Sequence, residues 1–324
     1  MRKTAMLAGA MLAVGLLSAP AQAQVTPDEC DTAIGWVSPN ACSFIKRQVA
    51  FGKEAPDALS RVPLYLDIWD KDATLWEPAA AELPPAKGLA EIERAITGSL
   101  TLAPDFRFHG TRIGVDGAAV MFEAANEVTI KGHAISYPAV YRVLMADDGK
   151  VVQGRRYYDR YTWFTKLDPT VRNLFAGVTD TGPAETGRRP AISPDALVAR
   201  GQAWNRKDAA ALLAPLTGAP LKGTGLEDRA LRTTQGKQAY LNAFFAQIGE
   251  LQLKPGQAVR AGNSTYVEWY GTVTPKHGQK MSFGIIERLD DRWGVTTNWQ
   301  LSFDQLPIIA DQAKINTLYG LLRP

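Results

Sequence analysis

One order of elements is written twice in this chain, and that repetition narrows the possible folds more than any other feature. In residues 41–165, helix-patterned text reaches Trp69. An extended Asp-Lys-Asp-Ala-Thr-Leu-Trp-Glu-Pro segment follows, and Gly88 precedes the amphipathic run Leu-Ala-Glu-Ile-Glu-Arg-Ala-Ile. After Pro104 the hydrophobic period falls to two. This predicts strands over Phe106–Val115, Ala119–Ile130, Ala134–Met145 and Lys150–Tyr161. Asp116-Gly117, Lys131-Gly132 and Asp147-Asp148-Gly149 supply the turns, because glycine tolerates positive φ. Residues 193–305 repeat the order, with a helix around Trp204 and Gly236 before Gln-Ala-Tyr-Leu-Asn-Ala-Phe-Phe. Four strand runs then turn near Ala261-Gly262, Lys276-His277-Gly278 and Asp290-Asp291. A shift of 145 residues lays Glu123 on Glu268 and Val128 on Val273. The stretch between, 166–192, reads as a linker with at most a short helix near Val171–Phe175, and 306–324 reads as a C-terminal tail. The fold class expected is α+β: two tandem domains, each a curved antiparallel sheet wrapped by helices.

Residues 1–23 have the form of an export signal. Arg2 and Lys3 start it, an apolar run spans Met6 to Leu17, and Ala21-Gln22-Ala23 is a small-x-small cleavage site. Without Arg2 and Lys3 the formal charge falls from +3 to +1, so the chain carries no basic footprint for nucleic acid or an anionic membrane. At 46% hydrophobic and 21% charged residues the composition is globular, and no later stretch approaches a membrane span. Expected, then, is a periplasmic protein with no membrane association after cleavage. In that oxidising compartment Cys30 and Cys42 can close a short loop that pins the N-terminal segment, two free thiols being the other reading.

From Trp69 to Leu102 the text WDKDATLWEPAAAELPPAKGLAEIERAITGSLTL resembles the ketosteroid isomerase pattern of the nuclear transport factor 2-like, or SnoaL-like, superfamily. It has an acidic-Ala-Thr turn, an acid before Pro, a Gly and an amphipathic helix. Gly149-Lys150-Val151-Val152 matches the family's penultimate turn. The resemblance is good over Val62 to Tyr161 and weak over Ser193 to Gln305. It implies two cone-shaped domains, the second degenerate. It says little of substrate, since this fold hosts isomerases, dehydratases, cyclases, hydrolases and binding modules. Sheets of the superfamily commonly pair face to face, so a tandem chain is expected as a monomer with an internal pseudo-dimer, or as a homodimer.

By the resemblance Glu77 falls where ketosteroid isomerases hold the acid that moves a proton between carbons beside a carbonyl. Trp76 adds local apolar surface. As plain sequence, Glu77 reads equally as an exposed turn residue before a proline. The isomerases' second acid falls on Ala139 or Val140, and their first-helix Tyr has no match, Tyr65 lying one helix later. Strand alternation suggests replacements. If Phe122 and Val128 face the pocket, so do Ala124 and Asn126, while Glu123 and Glu127 face away. Asn126 is then an oxyanion donor or a structural Asn. On the last strand Tyr158 is expected inward with Arg156 deeper, and Asp159 is either a substrate contact or part of a sheet-edge ion pair. His109 is a candidate pocket base on the less apolar strand face. His133 and His277 fall at turns. The scattered histidines and the two cysteines make no metal site, and no phosphate loop or nucleophile elbow occurs.

The second copy leaves Lys222 or Gly223 at the position of Glu77, and puts Trp269 and Gly271 against Ala124 and Asn126. That predicts a filled or reshaped pocket. The function expected is cofactor-free proton transfer on a small apolar or aromatic molecule. Glu77 is the base, Asn126 and Tyr158 polarise the substrate, and Trp76, Phe122, Arg156, Asp159 and His109 surround it. The alternatives are a non-catalytic periplasmic domain that binds a hydrophobic ligand, or a scaffold module.

Overall fold

The computed structural model describes residues 29–322, apart from 54–56, 188 and 194. The export signal lies outside the described residues. The first domain opens with strand β1 (Ile34–Trp36) and helices α1 (Pro39–Gly52) and α2 (Val62–Leu66). Strands β2 (Trp69–Trp76) and β3 (Ala86–Lys87) and helix α3 (Leu89–Leu102) follow. A meander then runs through β4 (Arg107–Asp116), β5 (Ala119–Ile130), β6 (His133–Met145) and β7 (Val151–Tyr158), closed by the short α4 (Tyr161–Phe164). The last strand is shorter than its pattern predicts, because Asp159 caps a turn through the Tyr161 N–H and the chain leaves the sheet there.

The second domain has α5 (Ala196–Asn205), α6 (Ala209–Leu213), β8 (Leu221–Gly223) and α7 (Thr234–Ala246). Its meander is β9 (Ile248–Ala261), β10 (Ser264–Pro275), β11 (Met281–Arg292) and β12 (Val295–Ser302). Its last hairpin turns at Trp293-Gly294, three residues after Asp290-Asp291, which stay in β11 beside a bulge. Among the described residues of 166–192 there is no helix, but Val171, Phe175 and Val178 are buried. The segment expected as a tail instead forms α8 (Leu306–Ile309) and α9 (Gln312–Leu322).

Sheet orders are β1-β4-β5-β6-β7-β2-β3 and β8-β12-β11-β10-β9. Both meanders are antiparallel as expected, but the sheets are mixed. β1 on β4, β2 on β7 and β8 on β12 are parallel additions. One face of each sheet holds its own helices, and the other faces the second sheet. On β5, Phe122, Ala124 and Val128 join the first domain's core, whereas Met121 joins the core shared with the second domain. A half-solvated antiparallel sheet alternates apolar and polar residues. Here both faces are buried, so β5 is buried almost throughout.

Two carboxylates sit in that shared layer, one from each sheet. Glu268, with no exposed surface, takes Arg142 at 2.8 Å, Arg155 at 3.0 Å and the Tyr157 hydroxyl at 2.5 Å, all from the first domain. Glu123 takes Arg288 and the Tyr266 hydroxyl at 2.5 Å, both from the second. The two acids that coincide in the sequence repeat thus hold reciprocal places. Between them the sheets close tightly: a Cβ at Gly284 would lie 2.7 Å from the Tyr157 ring. Cys30 and Cys42 form a disulfide that ties β1 to α1, and β1 reaches across both domains. Gly35 permits this. Its φ is +107°, and a Cβ there would meet the Val115 carbonyl at 2.1 Å and Ala261 at 3.1 Å.

Burial works to raise the Glu268 carboxyl, but Arg142 and Arg155 outweigh it and hold its pKa below the ordinary value. Its contribution to stability is therefore present above the unfolded carboxylate pKa and lost as pH falls through the depressed folded one. Glu268→Ala strands the buried Arg142 guanidinium, and the partly buried Arg155 beside it, and should cost about 3–5 kcal/mol. Urea unfolding measured from pH 7 to pH 3 should show that loss at neutral pH and a flatter acid limb in the variant.

Candidate active site

Parallel pairing of β2 with β7 places the polar residues of the first domain. Trp76 is in register with Arg155, so both point to the sheet–sheet layer. The next pair, Glu77 and Arg156, points the other way, into the cone, because successive residues alternate faces. Glu77 is still extended (φ −149°, ψ 155°), and Pro78 then starts a 3-10 turn over Pro78–Ala80. Arg156 Nη1 donates to Glu77 Oε2 at 3.3 Å, and the Tyr158 hydroxyl donates to the same oxygen at 3.4 Å. Neither contact uses Oε1. Arg156 also donates to the Tyr65 hydroxyl from α2.

Glu77, Arg156 and Tyr158 line a cavity of about 350 Å³ between the inner sheet face and α3. Its far wall is apolar, from Ile96, Leu102, Phe106, Val128 and Ile130. Asn126 lines the polar end. It is 1% exposed, and its Oδ1 accepts from the Tyr141 hydroxyl at 2.8 Å. Tyr137, Tyr158 and Trp163 form an aromatic corner, with Tyr158 stacked on Trp163 at 5.3 Å. Burial drives the tyrosine hydroxyls up. Tyr141 is pushed to about 12, Tyr137 and Tyr158 lie well above the ordinary range, and the charge of Glu77 adds to the rise at each. These phenols stay protonated donors across the physiological range.

Of the residues singled out from sequence, Glu77, Asn126, Tyr158 and Arg156 come together here. Four do not line the cavity. Trp76 lies in the shared layer, edge-on to Tyr270 at 5.3 Å, because it is out of phase with Glu77. Phe122 is wholly buried and stacks behind Tyr141 at 6.1 Å. His109 is exposed on β4. Asp159 is taken by Gln305 Nε2 at 2.7 Å and so ties the first domain to the end of the second. Burial, then the charge of Asp304, raises the Asp159 carboxyl well above its usual range.

Tyr137, Tyr141, Trp163 and Tyr319 are cavity residues that the sequence reading passed over. Tyr137 and Tyr141 share strand phase with Ala139, so alternation on β6 was a usable signal. Tyr319 had none. It arrives on α9 after the whole second domain, donated to by Arg160 at 3.1 Å and packed against Phe164 at 5.2 Å. Arg160 is itself anchored by Asp304 at 2.7 Å.

The second domain buries a polar cluster of its own. Glu287, with no exposed surface, pairs with Arg200 of α5 and accepts the Trp269 indole N–H at 3.0 Å. Among the described residues no cluster of three or more His, Cys, Asp or Glu forms a metal-ligating group.

No protein-family model matches the chain, and no curated protein matches it. Solved structures do. A protein from Shewanella putrefaciens, provisionally named a SnoaL-like polyketide cyclase, is 13% identical, covering 45% of this chain and 96% of its own, with a TM-score of 0.36. A Catenulispora acidiphila protein with a ketosteroid isomerase-like fold is 14% identical over 39% of this chain and 90% of its own, with a TM-score of 0.32. An LEH-like epoxide hydrolase of M. tuberculosis is 18% identical over 40% and 89%, also at 0.32. The similarity is one of fold, and each match has the extent of one of the two domains.

Helix α9 is held on the first domain by Ile315, Leu318 and Leu322, all buried. Leu318 has no exposed surface. Leu318→Ala should cost about 2–5 kcal/mol and loosen the wall that carries Tyr319. Denaturant unfolding, with a fluorescent dye reporting exposed apolar surface, checks both.

Proposed function

We infer that the chain is an exported, cofactor-independent acid/base enzyme whose site is the first-domain cavity. The observation that carries this is Glu77. It is the only acid lining the cavity among the described residues, set beside Arg156 and against protonated phenols and the Asn126 amide, with an apolar far wall. A carboxylate and neutral donors are the two components a carbon acid needs. One takes the proton, and the others hold the oxygen on which charge develops. Tyr158 is the uncharged donor on Glu77, and the Asn126–Tyr141 pair extends the donor set. Isomerisation, dehydration and a retro-aldol step all draw on this same arrangement. The substrate class is a small, largely apolar or aromatic carbonyl compound.

Export to a periplasm is part of the reading. It rests on the form of residues 1–23 and on the disulfide, which belongs in an oxidising compartment. No described helix is long and apolar enough to cross a membrane. The sheet faces cover each other within one chain, so the protein is read as a monomer.

One contact favours a second reading. The Glu77–Arg156 ion pair is what a non-catalytic domain binding an apolar ligand would use as structure. Proton NMR in D2O with enolisable ketones and β-hydroxy carbonyls separates the two. Wild type should incorporate deuterium. Glu77→Gln should lose the exchange, and Tyr158→Phe should slow it about 10–1,000-fold. Exchange undiminished in Glu77→Gln removes Glu77 from the mechanism. Ligand line broadening with no exchange in wild type selects the binding module.

A further inference from the structure

Glu77 belongs to two hollows. Besides the cavity, it lines an adjoining cleft of about 390 Å³, and the two share Glu77, Arg94 and Ala95 as a common wall. Leu75 and Trp76 from β2 line the cleft, together with the loop Leu83-Pro84-Pro85-Ala86. Two consecutive prolines fix the loop's shape and remove two N–H donors, so the loop offers mostly carbon. Leu83 remains 63% exposed at this rim, a large apolar side chain left in water. Either hollow alone lies at the lower end of the volumes that small-molecule sites span. Together they offer about twice that room, enough for a longer molecule than either holds alone.

The charges at the common wall are unequal. Glu77 is answered by Arg156. Arg94, exposed on α3, has no ion pair or hydrogen bond among the described residues. Glu91, one turn earlier on the same helix, also lines the cleft, and its carboxylate accepts the Lys87 backbone N–H at 2.8 Å. A guanidinium with no direct ion pair or hydrogen bond of its own therefore stands where the two hollows meet, with Glu77 lining both hollows and Glu91 lining the cleft.

We propose that the ligand is an elongated, mainly apolar monoanion that occupies both hollows, passes Glu77, and sets its carboxylate against Arg94. This rests on the reading of the cavity as a carbonyl-compound site and adds to it a length and a sign of charge. A neutral ligand leaves Arg94 unanswered. A single-ring ligand leaves one hollow empty.

Titration calorimetry tests this apart from turnover. The probes are a two-ring biphenyl oxobutanoate, its primary amide, and the single-ring phenyl oxobutanoate. Wild type should bind the two-ring acid about fivefold tighter than its amide, and more than tenfold tighter than the single-ring acid. Arg94→Gln should bring the acid-to-amide ratio to about one. Ala80→Trp, placed in the cleft alone, should abolish the two-ring advantage and leave single-ring affinity unchanged. Equal binding of acid and amide by wild type, a preference surviving Arg94→Gln, or no binding of any probe overturns the proposal. The enzymatic reading fails separately. If these preferences hold while wild type exchanges no deuterium into the bound acid, the ligand class stands and the catalysis does not.

Discussion

Everything else in this structure depends on the burial of Glu123 and Glu268 between the two sheets. Each acid accepts from an arginine and a tyrosine of the opposite domain. Buried charges are tolerable only when paired and hydrogen-bonded, so the two domains have few ways to sit against each other. A slide of one sheet by a residue would turn these acids or their partners away and leave charge unanswered. Apolar contact alone, as at Met121, Val140 and Ile286, would not discriminate so sharply.

That layer also sets the cavity, because strand β7 serves both. Arg155 and Tyr157 point to Glu268, while their neighbours Arg156 and Tyr158 point to Glu77. The alternation that gives the interface its donors gives the cavity its own. The second domain reaches the site in another way as well. Its exit, Asp304-Gln305, grips Arg160 and Asp159, and α9 then carries Tyr319 to the cavity wall. In the second domain Trp269 and the Arg200–Glu287 pair are buried together, and that domain supports the first.

Much of this could be read from local pattern. Meander strands and glycine turns have strong short-range signatures, and apart from the last hairpin they fall where the period of two and the glycines put them. Glu77, Asn126, Arg156 and Tyr158 were found through strand phase and a family resemblance. Proximity to the right residue or face does not by itself make a cavity residue: Trp76, next to Glu77, points away, and Phe122, on the right face, lies beneath Tyr141. Strand phase says nothing of Asp159, because the strand ends one residue earlier.

By itself the sequence determined the local periodicities, and with them two α+β units, their order, and which residues of each strand share a face. Those properties depend on contacts a few residues apart. Only the tertiary structure decided that the two outer faces cover each other, that Tyr319 closes a cavity formed some 200 residues earlier, and that Arg94, with no direct ion pair among the described residues, stands with Glu77 between two hollows. Each of these depends on segments far apart in the chain meeting in space. No short-range pattern encodes such a meeting, because the free energy that selects it comes from packing and charge pairing between whole elements.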